Sequence, residues 1–193
     1  MKNIAAIALW ISAGAFFYSN SAIAQAVPMA QAAESATATP LSGVRLAGQG
    51  VLRFLGFEIY RARLWVQPGF DADNYGAQPL ALELTYHRDF TAEAIAKRSL
   101  EEMRRVGSFT PQQATRWQQA LKAALPDVKS GDRLLGIHQP GVGAVFKMAG
   151  RVVGEVPDAE FSRLFFGIWL SPQTSEPGLR QELLAATRTA GQP

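Results

Sequence analysis

Three arginines, Arg53, Arg61 and Arg63, interrupt an otherwise apolar and aromatic stretch, VLRFLGFEIYRARLW, running from Val51 to Trp65. A guanidinium stays charged at any physiological pH, so it cannot be buried without a partner. Two kinds of chemistry are open to it: gripping a carboxylate through charge-assisted hydrogen bonds, or stabilising negative charge that develops on a reacting oxygen. Tyr60 in the same stretch and Tyr86 at the end of LALELTY add phenol hydroxyls able to donate or accept. One cationic fork and one phenol in a greasy wall is the sparse polar set expected of a cleft for an amphipathic anion.

Other chemistries lack their residues. The chain has no cysteine, and its two histidines, His87 and His138, fall in separate elements, so no metal site is expected and each histidine reads as a surface or strand-end residue. GQG at 48–50 and GVG at 141–143 are too short for a dinucleotide or phosphate-loop fingerprint, and neither opens a helix; they read as bulge and turn glycines, and no cofactor is expected. The net charge is only +3, with basic residues interleaved among acidic ones, as in EEMRR, which excludes a nucleic-acid footprint.

The arginines can act only where the surrounding elements place them. A positive Met1-Lys2-Asn3, an apolar IAAIALWISAGAFF and small residues at Ala22 and Ala24 read as a signal peptide over 1–24, cleaved after Ala24. The apolar run is shorter than a membrane span, so the mature protein is expected in a bacterial periplasm with no membrane span. Residues 25–40 have too little bulky apolar surface to order themselves and read as a flexible lead-in, with the folded domain over 41–193.

Within that domain Val44 to Gln67 reads as two adjacent strands or one long bent one, closed by the loop QPGFDADNYGAQP. Leu80, Leu82, Leu84 and Tyr86 alternate with Ala81, Glu83 and Thr85, which predicts a half-buried strand. Thr91 can cap a helix stopped by Gly107, and Thr110, Pro111 and Gln113 form a capping box for a second. RLLGIHQ, GAVFKMA and RVVGEV read as strands joined by tight hairpins. Asp158 caps a helix through FSRLFFGIWL, and LRQELLAATR forms the last. The fold class is α+β, an antiparallel sheet with helices on one side.

Strand alternation sets where the arginines point. In an uninterrupted strand Phe57, Ile59, Arg61, Arg63 and Trp65 share one face and Tyr60, Ala62 and Leu64 the other, with Arg53 siding with Arg61 and Arg63. A bulge or kink at Gly56 reverses this and puts Arg53 beside Tyr60 and Leu64. That second arrangement is favoured for Arg53. Its rival is a structural ion pair, with Glu83 a possible partner, while Arg61 and Arg63 lie on the outer face with their heads in water.

Four stretches, GQGVLRFLGFEIYRARLW, LTYHRDFTAEAIAKRSLEEMRR, GDRLLGIHQPGVGAVF and FSRLFFGIWLSPQTSEPGLRQELL, together resemble the bacterial chalcone isomerase-like proteins in order and spacing. The resemblance covers Leu41 to Leu184 and implies an open-faced β-sandwich: a large antiparallel sheet covered by a helical layer, with a ligand cleft between them. It implies site positions too. The enzymes' arginine after G-x-G falls nearest Arg53, one place late; their threonine on the next strand falls near Arg61. Their tyrosine at the start of the first large helix falls at about Thr91, their asparagine at about Arg98 and their last threonine at about Leu179. One of five is roughly kept, which points to a non-catalytic member, like the fatty-acid binders of this fold that hold a carboxylate with an arginine and a tyrosine.

The expected function is therefore an exported binding protein for a small amphipathic molecule, a fatty-acid-like carboxylate or a polyphenol, held by Arg53, Tyr60, Tyr86, Thr91 and Arg98. One alternative is an intramolecular lyase closing a chalcone-like enone with Arg53 and Tyr60. The other is a structural or partner-binding protein of the envelope.

Overall fold

A computed structural model describes residues 41–189; the segments read as signal peptide and lead-in, residues 1–40, lie outside the described residues. Six strands form one sheet in chain order: β1 (Arg45–Phe54), β2 (Phe57–Val66), β3 (Leu80–Tyr86), β4 (Arg133–Gln139), β5 (Gly143–Met148) and β6 (Arg151–Val156). Every neighbouring pair is antiparallel. Helices α1 (Ala92–Val106) and α2 (Pro111–Ala124) are inserted between β3 and β4. After β6 come α3 (Ala159–Leu170), α4 (Pro177–Leu183) and α5 (Ala185–Thr189). The α+β class and the sheet roofed by helices are as the sequence predicts.

Local chemistry explains most element ends. The Thr91 hydroxyl accepts from Ala94 N–H to start α1, and Thr110 and Gln113 cap each other reciprocally at α2. Asp158 does more than cap. Its carboxylate accepts from Phe161 N–H (2.9 Å), from the buried indole of Trp117 (2.8 Å) and from Arg116 (3.0 Å), tying α3 to α2. Two expectations shift: the loop after β2 winds one short 3₁₀ helix, Ala72–Ala77, and the last helix breaks at Leu184 into α4 and α5.

The main core lies between sheet and helices. Ala62, Leu64 and Val66 from β2 and Leu80, Leu82, Leu84 and Tyr86 from β3 meet Leu100, Met103, Trp117 and the α3 run Phe161, Leu164, Phe165 and Phe166. The opposite sheet face carries a smaller apolar cluster, Trp65, Ala81 and Ile137, bordered by Leu41, Val44 and Leu46. That cluster is why Ala81, placed on the wet side of β3 by alternation, is fully buried. His138 is the strand-end residue the sequence allows, next to last in β4, but it is buried in the core rather than on the surface. It is 1 % exposed, set between the Ser162 hydroxyl (2.6 Å) and the Gly76 carbonyl (3.0 Å).

The G-x-G of β1 has a packing role. A Cβ at Gly48 would collide with the backbone of Glu182 and Leu183, and one at Gly50 with side chains of Glu182 and Leu179. Two bare positions on one face thus let α4 lie directly on the strand.

Candidate functional site

The adjacent strands β2 and β3 present two phenols to the helical layer. Tyr60 pairs across the sheet with Tyr86, their rings edge to face at 6.1 Å, and Phe90 tilts against Tyr86 at 5.9 Å. The Tyr60 hydroxyl accepts the indole N–H of Trp169 at 2.9 Å, so the last turn of α3 is hydrogen-bonded to the middle of the sheet. Leu52, which faces Tyr60 across the hairpin, Tyr60 itself and Phe90 are only partly buried against the core.

Burial drives the Tyr60 pKa far above the ordinary phenol value. The Trp169 N–H opposes the rise, and Tyr86, Glu176 and Glu102 add to it. Burial alone raises Tyr86 likewise. Both phenols are therefore neutral at physiological pH, and Tyr60 is a hydroxyl donor rather than a nucleophile or base.

Glu102 is the unexpected member. Its side chain is 7 % exposed on the inner side of α1, in ion pairs with Arg98 (2.7 Å) and Arg105 (3.4 Å). Arg98 also reaches Glu101 at 3.3 Å and is itself 65 % exposed. The guanidinium lies at the surface of α1, and the carboxylate is buried beside it.

The structure brings two of the five expected residues together, Tyr60 and Tyr86, while Arg98 pairs with Glu101 and Glu102 at the surface of α1. Thr91 is spent on capping α1 and is exposed. Arg53 is the main correction. Its side chain is 59 % exposed and bonded to Glu58 at 2.6 Å, and Glu58 in turn meets His87 at 3.1 Å. Leu55 and Gly56 form the hairpin turn, with φ of 49° and 83°, so Gly56 does not reverse the strand. The register slips instead between Leu52 and Arg53: Leu52 faces Tyr60, and Arg53 faces Glu58. Alternation from Leu52 then sends Arg53 to the outer face. Glu83, the partner considered for Arg53, pairs with Arg63 at 3.5 Å.

Trp169, Glu102 and Glu176 were missed. Ile95, Ser99 and Glu102 follow one another at i, i+4 and i+7, a helical stripe that marks Glu102 as inward-facing despite its charge. Trp169 lies four residues beyond Phe165 on the buried face of α3, where an indole needs an acceptor.

The outer face holds a second feature, an open concavity of about 440 Å³ lined by Arg61, Arg63 and Arg133 around Thr85 and Glu83, with Gln49 and His87 at its edges. Arg61 and Arg63 lie on this outer face as the sequence predicts, but the Arg63 head is not in water: its side chain is 21% exposed, paired with Glu83 and set 5.1 Å over the Trp65 ring. Among the described residues no three His, Cys, Asp or Glu side chains converge as a metal ion requires, and no helix is long and apolar enough to cross a membrane.

Comparison with known proteins follows the same outline. The family described as chalcone isomerase-like matches residues 25–185. A Haemophilus influenzae protein described as uncharacterized is 25% identical over 153 residues, 79% of this chain and 74% of its own. Among solved structures, an Arabidopsis thaliana fatty-acid binding protein superposes with a TM-score of 0.60 at 12% identity, covering 77% of this chain and 90% of that one. At that identity the likeness is one of fold.

Proposed function

This chain belongs to the chalcone isomerase-like family, and from that premise we propose that it is a non-catalytic binding protein for a small amphipathic molecule, taken up between sheet and helices at Tyr60. The observation that carries this is the polar knot of Tyr60 and Trp169 set among partly buried apolar side chains. The fatty-acid binding protein of the same fold supports a binding role, since its name assigns a fatty acid to that protein.

Either polar end, a carboxylate or a phenol, can accept a hydrogen bond from the neutral Tyr60 hydroxyl. The lyase alternative is weakened by the same geometry. Arg53, its electrophile, is ion-paired on the outer face, and Tyr60 is a neutral phenol. The reading also takes residues 1–24 as an export signal and the periplasm as the site of action; N-terminal sequencing of the protein recovered from cells tests that part.

Native mass spectrometry of the purified protein, followed by titration with a fatty acid and with a polyphenol, tests the binding. A bound small molecule is expected. Tyr60→Phe should weaken it by about 0.5–1.5 kcal/mol, the net worth of one neutral hydrogen bond, while Arg53→Ala leaves it unchanged. No binding of either class, or equal affinity in Tyr60→Phe, removes the proposal.

A further inference from the structure

The β1–β2 hairpin ends in a feature that costs the protein twice. Phe54, Leu55 and Phe57 are 64%, 81% and 56% exposed, so three large apolar side chains cluster at one turn in water. Leu55 also occupies the left-handed region at φ 49°, followed by Gly56 at 83°, a two-residue hairpin loop in which asparagine or aspartate is the favoured first residue. Solubility and turn chemistry both argue for asparagine at that first position; the chain has leucine. The remaining large exposed apolar residues, Val142, Val152 and Val153, are smaller and lie elsewhere in the fold.

Cations surround this tip. The Arg88 guanidinium sits 4.4 Å over the Phe57 ring. Arg53 flanks the turn, and its partner Glu58 touches His87, which edges the outer concavity of Arg61, Arg63 and Arg133. The apolar tip and the arginine-rich hollow are thus contiguous, and the lining of the hollow sets three guanidinium groups against the carboxylate of Glu83.

We infer that the β1–β2 hairpin docks the protein on a lipid bilayer that contains anionic phospholipid. Phe54, Leu55 and Phe57 enter the interface while Arg53, Arg88 and the outer-face arginines meet the phosphates. A convex finger of three side chains suits insertion between headgroups. It falls far short of the roughly 800 Å² per partner of a stable protein interface, which argues against a second copy as the occupant. Apolar insertion beside basic residues is the pairing by which interfacial elements hold to anionic membranes. The inference is independent of what the inner region binds.

Co-sedimentation with vesicles of phosphatidylcholine alone, and of phosphatidylcholine and phosphatidylglycerol in equal parts, tests it. The wild type and its variants are used as the cell delivers them, so that all share one N-terminus. The wild type is expected to partition onto the mixed vesicles and weakly onto the neutral ones, with added salt reducing binding. Leu55→Asn should lower the partition about tenfold, by loss of one buried aliphatic side chain, yet raise the unfolding temperature by relieving the turn. A purely structural role for the tip does not give those opposite signs. Phe57→Ser should also release the protein from vesicles. Equal sedimentation with both vesicle types, or vesicle binding untouched by Leu55→Asn and Phe57→Ser, overturns the inference. A concentration-dependent dimer abolished by Leu55→Asn without vesicle binding overturns it in favour of a second copy.

Discussion

Replacing Tyr60 by phenylalanine removes one oxygen and leaves the ring in place. In the native structure that oxygen accepts the Trp169 N–H at 2.9 Å, in a place dry enough to push the phenol pKa well above its usual value. The variant loses a hydrogen bond and strands the indole donor of a side chain only 7% exposed. A lost bond with one partner left unsatisfied costs about 1–3 kcal/mol. For a chain of this size that lowers the unfolding temperature by roughly 2–12 °C. Trp169→Phe and the double variant complete a cycle whose coupling should be about 1 kcal/mol. Urea unfolding followed by circular dichroism supplies the energies. A Tyr60→Phe protein as stable as the wild type, with zero coupling to Trp169, would show that water already reaches the indole and that the knot is not a dry polar contact.

Asp158→Ala should be among the costlier single changes, about 2–4 kcal/mol in a denaturant titration. It deletes the α3 cap and leaves the buried Trp117 indole without its acceptor; Asp158→Asn, which keeps an oxygen, should recover a good part. Gly154→Ala should destabilise by roughly 1–3 kcal/mol, since its Cβ would fall on the Cα and carbonyl oxygen of Ala124 and push α2 off β6. Burial lowers the His138 pKa, against a weaker opposing effect of the Gly76 carbonyl. The unfolded chain therefore takes up a proton near pH 6.5 that the folded one refuses. Stability should fall on acidification from about pH 6.5 down to the lowered value, at up to about 1.4 kcal/mol per unit; His138→Gln should flatten that part of the profile measured by thermal melts. Arg53→Ala should change stability by under about 1 kcal/mol, the worth of an exposed ion pair, and a larger loss would mean its pairing with Glu58 holds the hairpin.

The sequence alone determined the elements and their order. Local rules sufficed for the caps at Thr91, Thr110 and Asp158, for the alternation of Leu80 to Tyr86 that faces the core, and for Arg61 and Arg63 on the outer face, because each depends on residues a few positions apart. The direction of Arg53 did not. It follows by alternation from Leu52, but a turn at Leu55–Gly56 and a kink at Gly56 within a longer strand suit the local residues alike, and only the pairing of Leu52 with Tyr60 decided between them. Trp169 was hidden for a related reason: a buried indole is acceptable only where an acceptor reaches it, and the packing of α3 on the sheet supplied Tyr60 from 109 residues away. Glu102 is different, because its partners Arg98 and Arg105 stand four residues before it and three after it on α1, a spacing the sequence already shows, and only its burial needed the fold. Periodicity names the face a residue occupies, but only the packed tertiary structure decides which polar groups meet across it.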